Sequence, residues 1–305
     1  MTDEDIPRLL HDAVDDIEPR GEVSDIRAAI DQRDGRTTWV RGALAAAAAV
    51  VLVTGGAAYL HHRAGSGVTP VAGRTVEATV YYVGRTAVGP RLFSETHELT
   101  DVKVSDVQAA VDTVLSTPTD PDYHSAFATG TSATVTDGAD GVVDIDLSSG
   151  VRLADGADAE AALQSLVWTV DAALQRQAPV HVTIGGKVPA ELFGAPAKQS
   201  YAKAAQDDIL SPVSIDLTDG AEITAGTTIN GHAAAFEADV TWTLRQGAAV
   251  IRHGFTTANE CCTLSPFSFT VDAPAGVYTL TVSDTDPSDG EGNGVTTDTK
   301  TIQID

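Results

Sequence analysis

The chain has 305 residues and a net charge of −24, from 19 Lys and Arg against 43 Asp and Glu, with a pI near 4.4. That balance excludes a nucleic-acid binder, because affinity for phosphate backbones comes from clustered Lys and Arg. Hydrophobic residues at 43% exclude wholesale disorder, and two cysteines are too few for a disulfide framework, so each core must stand on burial.

Residues 1–41 read as a cytoplasmic tail. Ile6, Leu9, Leu10, Ala13, Val14 and Ile17 recur at spacings of three and four, one apolar helical stripe that Pro19 and Gly21 close. A helix this short is marginal in water, so the stripe wants a partner, a fold-back onto the tail, or the membrane surface. Residues 42–60 (GALAAAAAVVLVTGGAAYL) hold 19 positions without a charge. At about 1.5 Å per residue they span roughly 28 Å, close to a hydrocarbon core of about 30 Å. Eight Ala and three Gly make the run a weak hydrophobe, which leaves a soluble alanine-rich helix and a cleaved signal peptide as alternatives. The 41 residues ahead of it fit a signal peptide badly. The expectation is a single transmembrane helix in the cell membrane. Arg27, Arg33, Arg36 and Arg41 precede it and only Arg63 and Arg74 follow closely, placing the N-terminus in the cytoplasm and residues 61–305 outside.

After a Gly/Ser/Pro linker over residues 61–75, residues 76–196 alternate strand and helix signals. Val76–Val83 and Arg91–Glu98 are strand candidates. Ser105 caps a helix whose Val107, Ala110, Val111, Val114 and Leu115 share a face. Ser132–Thr136 and Val142–Leu147 flank an Asp-Gly turn, a hairpin signal. Asp158–Gln177 is a long helix with Leu163, Leu166, Val167, Val170 and Leu174 as its stripe, and Pro179–Ile184 closes as a strand. The expected fold is an α+β domain, a mixed sheet with helices on one face. Residues 197–208 read as a linker with one helical turn, across which few contacts need pass. Residues 209–305 hold seven short strands separated by Gly- and Pro-rich turns, the pattern of an immunoglobulin-like β-sandwich.

Tyr81-Tyr82, the stretch SATVTDGADGVVDIDLSSG and the stretch LQSLVWTVDAALQRQAPVHVTIGGKVPAELFG resemble the sporulation and spore germination domain of the germination protein M family. AFEADVTWTL, GFTTA, SPFSFTV and DTDPSDGEGNG resemble the immunoglobulin-like domain of bacterial spore germination. The tail resembles those of actinobacterial membrane proteins. The resemblance implies an assembly module with no established active site. Around residues 116–131, the stretch TPTDPDYHSAFATG replaces the family's Gly-Pro pattern.

Candidate chemistry is sparse. Ser200-Tyr201-Ala202-Lys203 is formally S-x-x-K, but its two companion motifs do not occur downstream. His181, His232 and His253 are scattered over strands, without zinc spacing. Asp284, Asp286, Asp289, Glu291 and Asn293 offer five oxygen ligands in ten residues, a weak calcium candidate that misses the EF-hand template; a solvated turn is the alternative. Cys261 and Cys262 are adjacent, read as a bond between neighbours that shapes a surface loop, with free thiols or an intermolecular bridge left open. No catalytic residue and no cofactor is expected. The reading is a non-enzymatic, membrane-anchored cell-envelope scaffold or adaptor. Its partners would be other envelope proteins or the cell wall, with homo-oligomerisation open. The alternative is a module that binds peptidoglycan or another glycan.

Overall fold

The computed structural model describes residues 73–138, 140–285 and 294–305. The tail, the transmembrane candidate and most of the linker before residue 76 lie outside them. Among the described residues no helix is long and apolar enough to cross a membrane. The chain from Val71 to Asp305 forms one compact unit, mostly β-sheet with few helices.

Strands β1 (Arg74–Thr86) and β2 (Gly89–Val102) form a long antiparallel hairpin. Helix α1 (Asp106–Val114) starts where the Ser105 hydroxyl accepts the Gln108 N–H. The short β3 (Tyr123–His124) adds to the free side of β1. Strands β4 (Ala133–Asp137) and β5 (Val143–Leu147) form the expected hairpin. Helix α2 (Ala159–Leu174) begins where Asp158 accepts the Ala161 N–H at 2.7 Å. It then crosses over to bring β6 (Val180–Ile184) parallel to β5. A parallel neighbour requires such a crossover.

The single mixed sheet read from the sequence is divided in two. Strands β2-β1-β3 make an antiparallel sheet, and β4-β5-β6 a separate mixed one. Helix α2 packs on β1 and reaches β6, and α1 packs on β1, β4 and α2. An element in contact with both sheets is buried nearly all round, and Ala161 through Asp171 are all buried. The core so formed includes Val80, Tyr82, Leu92, Ile145, Leu166 and Val180. A small hairpin of β7 (Glu191–Leu192) and β8 (Ala195–Pro196) follows.

Residues 197–208 are threaded onto the first domain. Tyr201 exchanges backbone hydrogen bonds with Val180 at 2.9 and 2.8 Å, and the Gln164 amide holds the Ala202 carbonyl and the Ala204 N–H. The helical turn α3 (Gln206–Ile209) ends this segment.

The second domain is a two-sheet sandwich. Its strands are β9 (Val213–Ile215), β10 (Ala221–Ile223), β11 (Thr227–Ala233), β12 (Asp239–Gln246), β13 (Ala249–Thr257), β14 (Ser265–Val271), β15 (Gly276–Ser283) and β16 (Thr297–Ile304). One sheet runs β10-β16-β15-β12-β13, the other β14-β11-β9. Ile229, Leu244, Phe267, Leu280, Ile302 and Ile304 fill the space between. The strands meet so closely at Gly231 that a Cβ there would lie 2.3 Å from the Ser214 carbonyl oxygen.

Candidate functional site

The largest concentration of buried charge lies where the two domains meet. Strand β16 alternates, and its inward positions are Asp298, Lys300, Ile302 and Ile304. The two isoleucines enter the sandwich core. The two charged residues continue the same face toward the first domain, where Asp120 and Tyr123 stand.

Lys300, 1% exposed, donates from Nζ to Asp120 Oδ2 and to the Tyr123 hydroxyl oxygen, each at 2.6 Å. The Tyr123 hydroxyl donates in turn to Asp298 Oδ1 at 2.6 Å, and the Ile215 N–H donates to Asp298 Oδ2 at 2.7 Å. Lys300 Nζ is also 3.5 Å from Asp298 Oδ1 and 4.3 Å from the centre of the Tyr123 ring. Asp120 is anchored from its own side. Its Oδ1 accepts the Asp122 N–H, while Glu95 accepts the N–H groups of Asp120 and Thr119 at 2.7 and 3.0 Å. Tyr123 stacks on Phe93, ring centres 4.5 Å apart. Outside this cluster, the Thr299 hydroxyl donates to Asp122, the Ser211 N–H to the Leu92 carbonyl, and the Leu264 N–H to Asp207.

Burial governs the electrostatics. It pushes the Asp298 carboxyl up to about 6, against the pull of Lys300 and its two hydrogen-bond donors. Burial raises Asp120 too, opposed by the same Lys300. For Tyr123, burial and the Asp298 charge act together and keep the phenol protonated. Glu95 goes the other way. Burial opposes its charge, but the His97 side chain and the two backbone donors outweigh it and hold the carboxyl below its ordinary range. The arrangement is one cation between two carboxylates, with a neutral phenol relaying one of the contacts. It locks orientation. Nothing in it is positioned as a nucleophile or an open ligand shell.

The residues singled out in the sequence lie elsewhere and are not brought together. Cys261 and Cys262 are joined to each other in the exposed loop before β14, where the Cys262 N–H donates to the Ala235 carbonyl. Asp284 directly follows β15, its Oδ1 accepting the Thr296 N–H at 2.7 Å. Asp286, Asp289, Glu291 and Asn293 lie outside the described residues, and no metal-ligating cluster occurs among those described. Ser200 is exposed, and Lys203 Nζ sits 3.6 Å over the Trp168 ring. His181 pairs with Asp144 and His232 with Asp216, while His253 lies exposed on the edge strand β13. Two clefts flank the junction. One of about 510 Å³ runs along Tyr123, His124 and Arg152, and one of about 210 Å³ includes Tyr81, Asp216 and His232.

The cluster residues were not singled out from the sequence. The signal was present in β16, where counting back in twos from Ile304 places Lys300 and Asp298 on the buried face. Asp120 and Tyr123 lie within residues 116–131, the stretch that the sequence sets apart from the family's Gly-Pro pattern.

Residues 79–189 match the family model described as sporulation and spore germination, and residues 216–291 match the immunoglobulin-like domain of bacterial spore germination. The chain carries these two spore-germination modules in series. Neither family is a known enzyme family. No curated relative matches the sequence. Among solved structures, the first GerMN domain of the sporulation protein GerM from Bacillus subtilis is 18% identical, with 42% of this chain and 98% of that one covered and a TM-score of 0.32. The tandem GerMN domains of the same protein are 16% identical, with 65% and 62% covered and a TM-score of 0.34. CopC from Methylosinus trichosporium OB3b is 9% identical, with 30% and 89% covered and a TM-score of 0.23. The chain thus spans less than two thirds of the tandem protein's length. Asp120 and Tyr123, inside the first matched span, supply one half of the junction, and β16, beyond the second matched span, the other half.

Proposed function

We propose that the chain is a membrane-anchored, non-enzymatic scaffold of the cell envelope. Residues 42–60 would cross the membrane, and the two modules would stand outside it as one arm. The observation that carries this reading is the buried Asp120–Tyr123–Lys300–Asp298 cluster. A bare tether would let each module sample many orientations, and ordering them would cost binding free energy at every encounter. Modules already locked together present one fixed surface spanning both. That arrangement serves recognition of a protein partner, another envelope component or further copies of the chain.

Two measurements test the reading. Protease added to intact protoplasts should remove both modules and leave a small membrane-bound stub; full protection of residues 76–305 overturns the topology. Cross-linking in cells should then join the modules to protein. Saturable pelleting of the chain with purified cell wall, without a protein cross-link, would replace the scaffold by a glycan-binding module.

A further inference from the structure

The turn end of β1 and β2 meets the loop before α2 in a cleft of about 430 Å³, lined by Arg85, Thr86, Ala87, His124 and Gly156 among others. His124 pairs with Val83 across β1 and β3, so it shares a face of the sheet with Arg85, two positions along. Among the described residues no carboxylate lies within ion-pair distance of Arg85, although acids outnumber bases 43 to 19 in the chain. His124 Nε2 is buried and has no hydrogen-bond partner among the described residues. A buried polar atom without a partner needs an account, and a bound polar group would supply one.

Both side chains converge on Gly156. A Cβ at that position would lie 3.6 Å from Arg85 Nη2 and 3.9 Å from His124 Nε2, so the missing side chain leaves open a point within reach of both. The backbone there has φ +87°, which favours glycine and keeps the point open. Burial, and then the charge of Arg85, hold the His124 imidazole below its ordinary value, so it is the neutral member of the pair. The adjoining cleft shares His124 but sets Asp155 in the same lining as Arg152. Of these two clefts, only the Arg85 one has no acid in its lining among the described residues.

We propose that this cleft binds an oxyanion, the phosphate or carboxylate group of a ligand, between Arg85 and His124. The guanidinium supplies a charged fork, and the anion's charge favours a proton on His124, which turns Nε2 into a second donor. This inference is independent of the scaffold reading and of where the chain resides.

The test is a titration of the full chain with inorganic phosphate and, separately, with acetate. It is followed by the imidazole resonance of His124, assigned by its loss in His124→Gln. The expected result is a saturable shift and a His124 pKa that rises on binding. Arg85→Gln should weaken saturation at least tenfold, while Arg252→Gln on the distant β13 leaves it unchanged. Phosphate saturating at lower concentration than acetate marks a phosphoryl ligand, and the reverse order a carboxylate. A response to both anions that never saturates, or equal saturation in the Arg85 and Arg252 variants, overturns the proposal.

Discussion

Replacing Lys300 by Met tests the junction most directly. Met keeps much of the aliphatic volume and removes only the ammonium. Asp120 and Asp298, 1% and 3% exposed, then face each other's surroundings with no counter-charge. Asp298 keeps its Tyr123 and Ile215 donors, and Asp120 keeps the Asp122 N–H. Removing one partner of a buried ion pair costs about 3–5 kcal/mol, because the remaining charge stays desolvated. At pH 7 the variant should therefore lose about that much stability. At pH 5 the loss should shrink, since a proton on either carboxylate now does what the lysine did. The assay is denaturant unfolding at both pH values. Trp168 reports from the first module and Trp242 from the second. The wild type should show coincident transitions and Lys300→Met separated ones. Adding Asp120→Asn and Asp298→Asn to it should recover most of the loss, because a neutral cluster leaves no stranded charge. A loss below about 1 kcal/mol at pH 7, or one unchanged at pH 5, would refute the reasoning, since such values belong to exposed pairs.

Three further outcomes are expected. Asp298 titrates near 6 when folded and near 3.8 otherwise, so the folded state gains its proton first and stability rises as pH falls through that window. Between pH 7 and 5 the gain should be on the order of 1 kcal/mol, read as a rising Tm and flattened in Asp298→Asn; Asp120 adds in the same direction, and a Tm that falls over this range contradicts the assignment. Replacing Cys261 and Cys262 together by Ser should change stability by about 1 kcal/mol or less, because both are exposed and a bond between neighbours closes almost no loop; a larger loss would place the pair in the sandwich core. Gly231→Ala should cost about 1–3 kcal/mol, because its Cβ meets a backbone oxygen that cannot rotate away, and thermal unfolding checks it.

Much of the fold was legible in the sequence because the patterns were local. The caps at Ser105 and Asp158, the Asp-Gly hairpin and the long apolar stripe of α2 each depend on a few neighbouring residues. Seven of the eight sandwich strands were readable from their alternation, while the three-residue β10 was not. What escaped was long-range. Whether six strands of the first module form one sheet or two depends on which edges find each other, and the pairing of β6 with β5 rather than β1 is written in no short window. The junction escaped for a different reason. Asp and Lys on a strand read as solvent-facing, and only a partner 180 residues away, Asp120 for Lys300, makes their burial possible. A charged residue placed on the inward face of a strand is therefore evidence about what lies beyond that strand's own domain. In this chain the domain beyond is the first module. The inference runs from the strand outward: Lys300 is bearable in β16 only while Asp120 is docked, so the pair is as much a condition of the sandwich's last strand as a link between the modules.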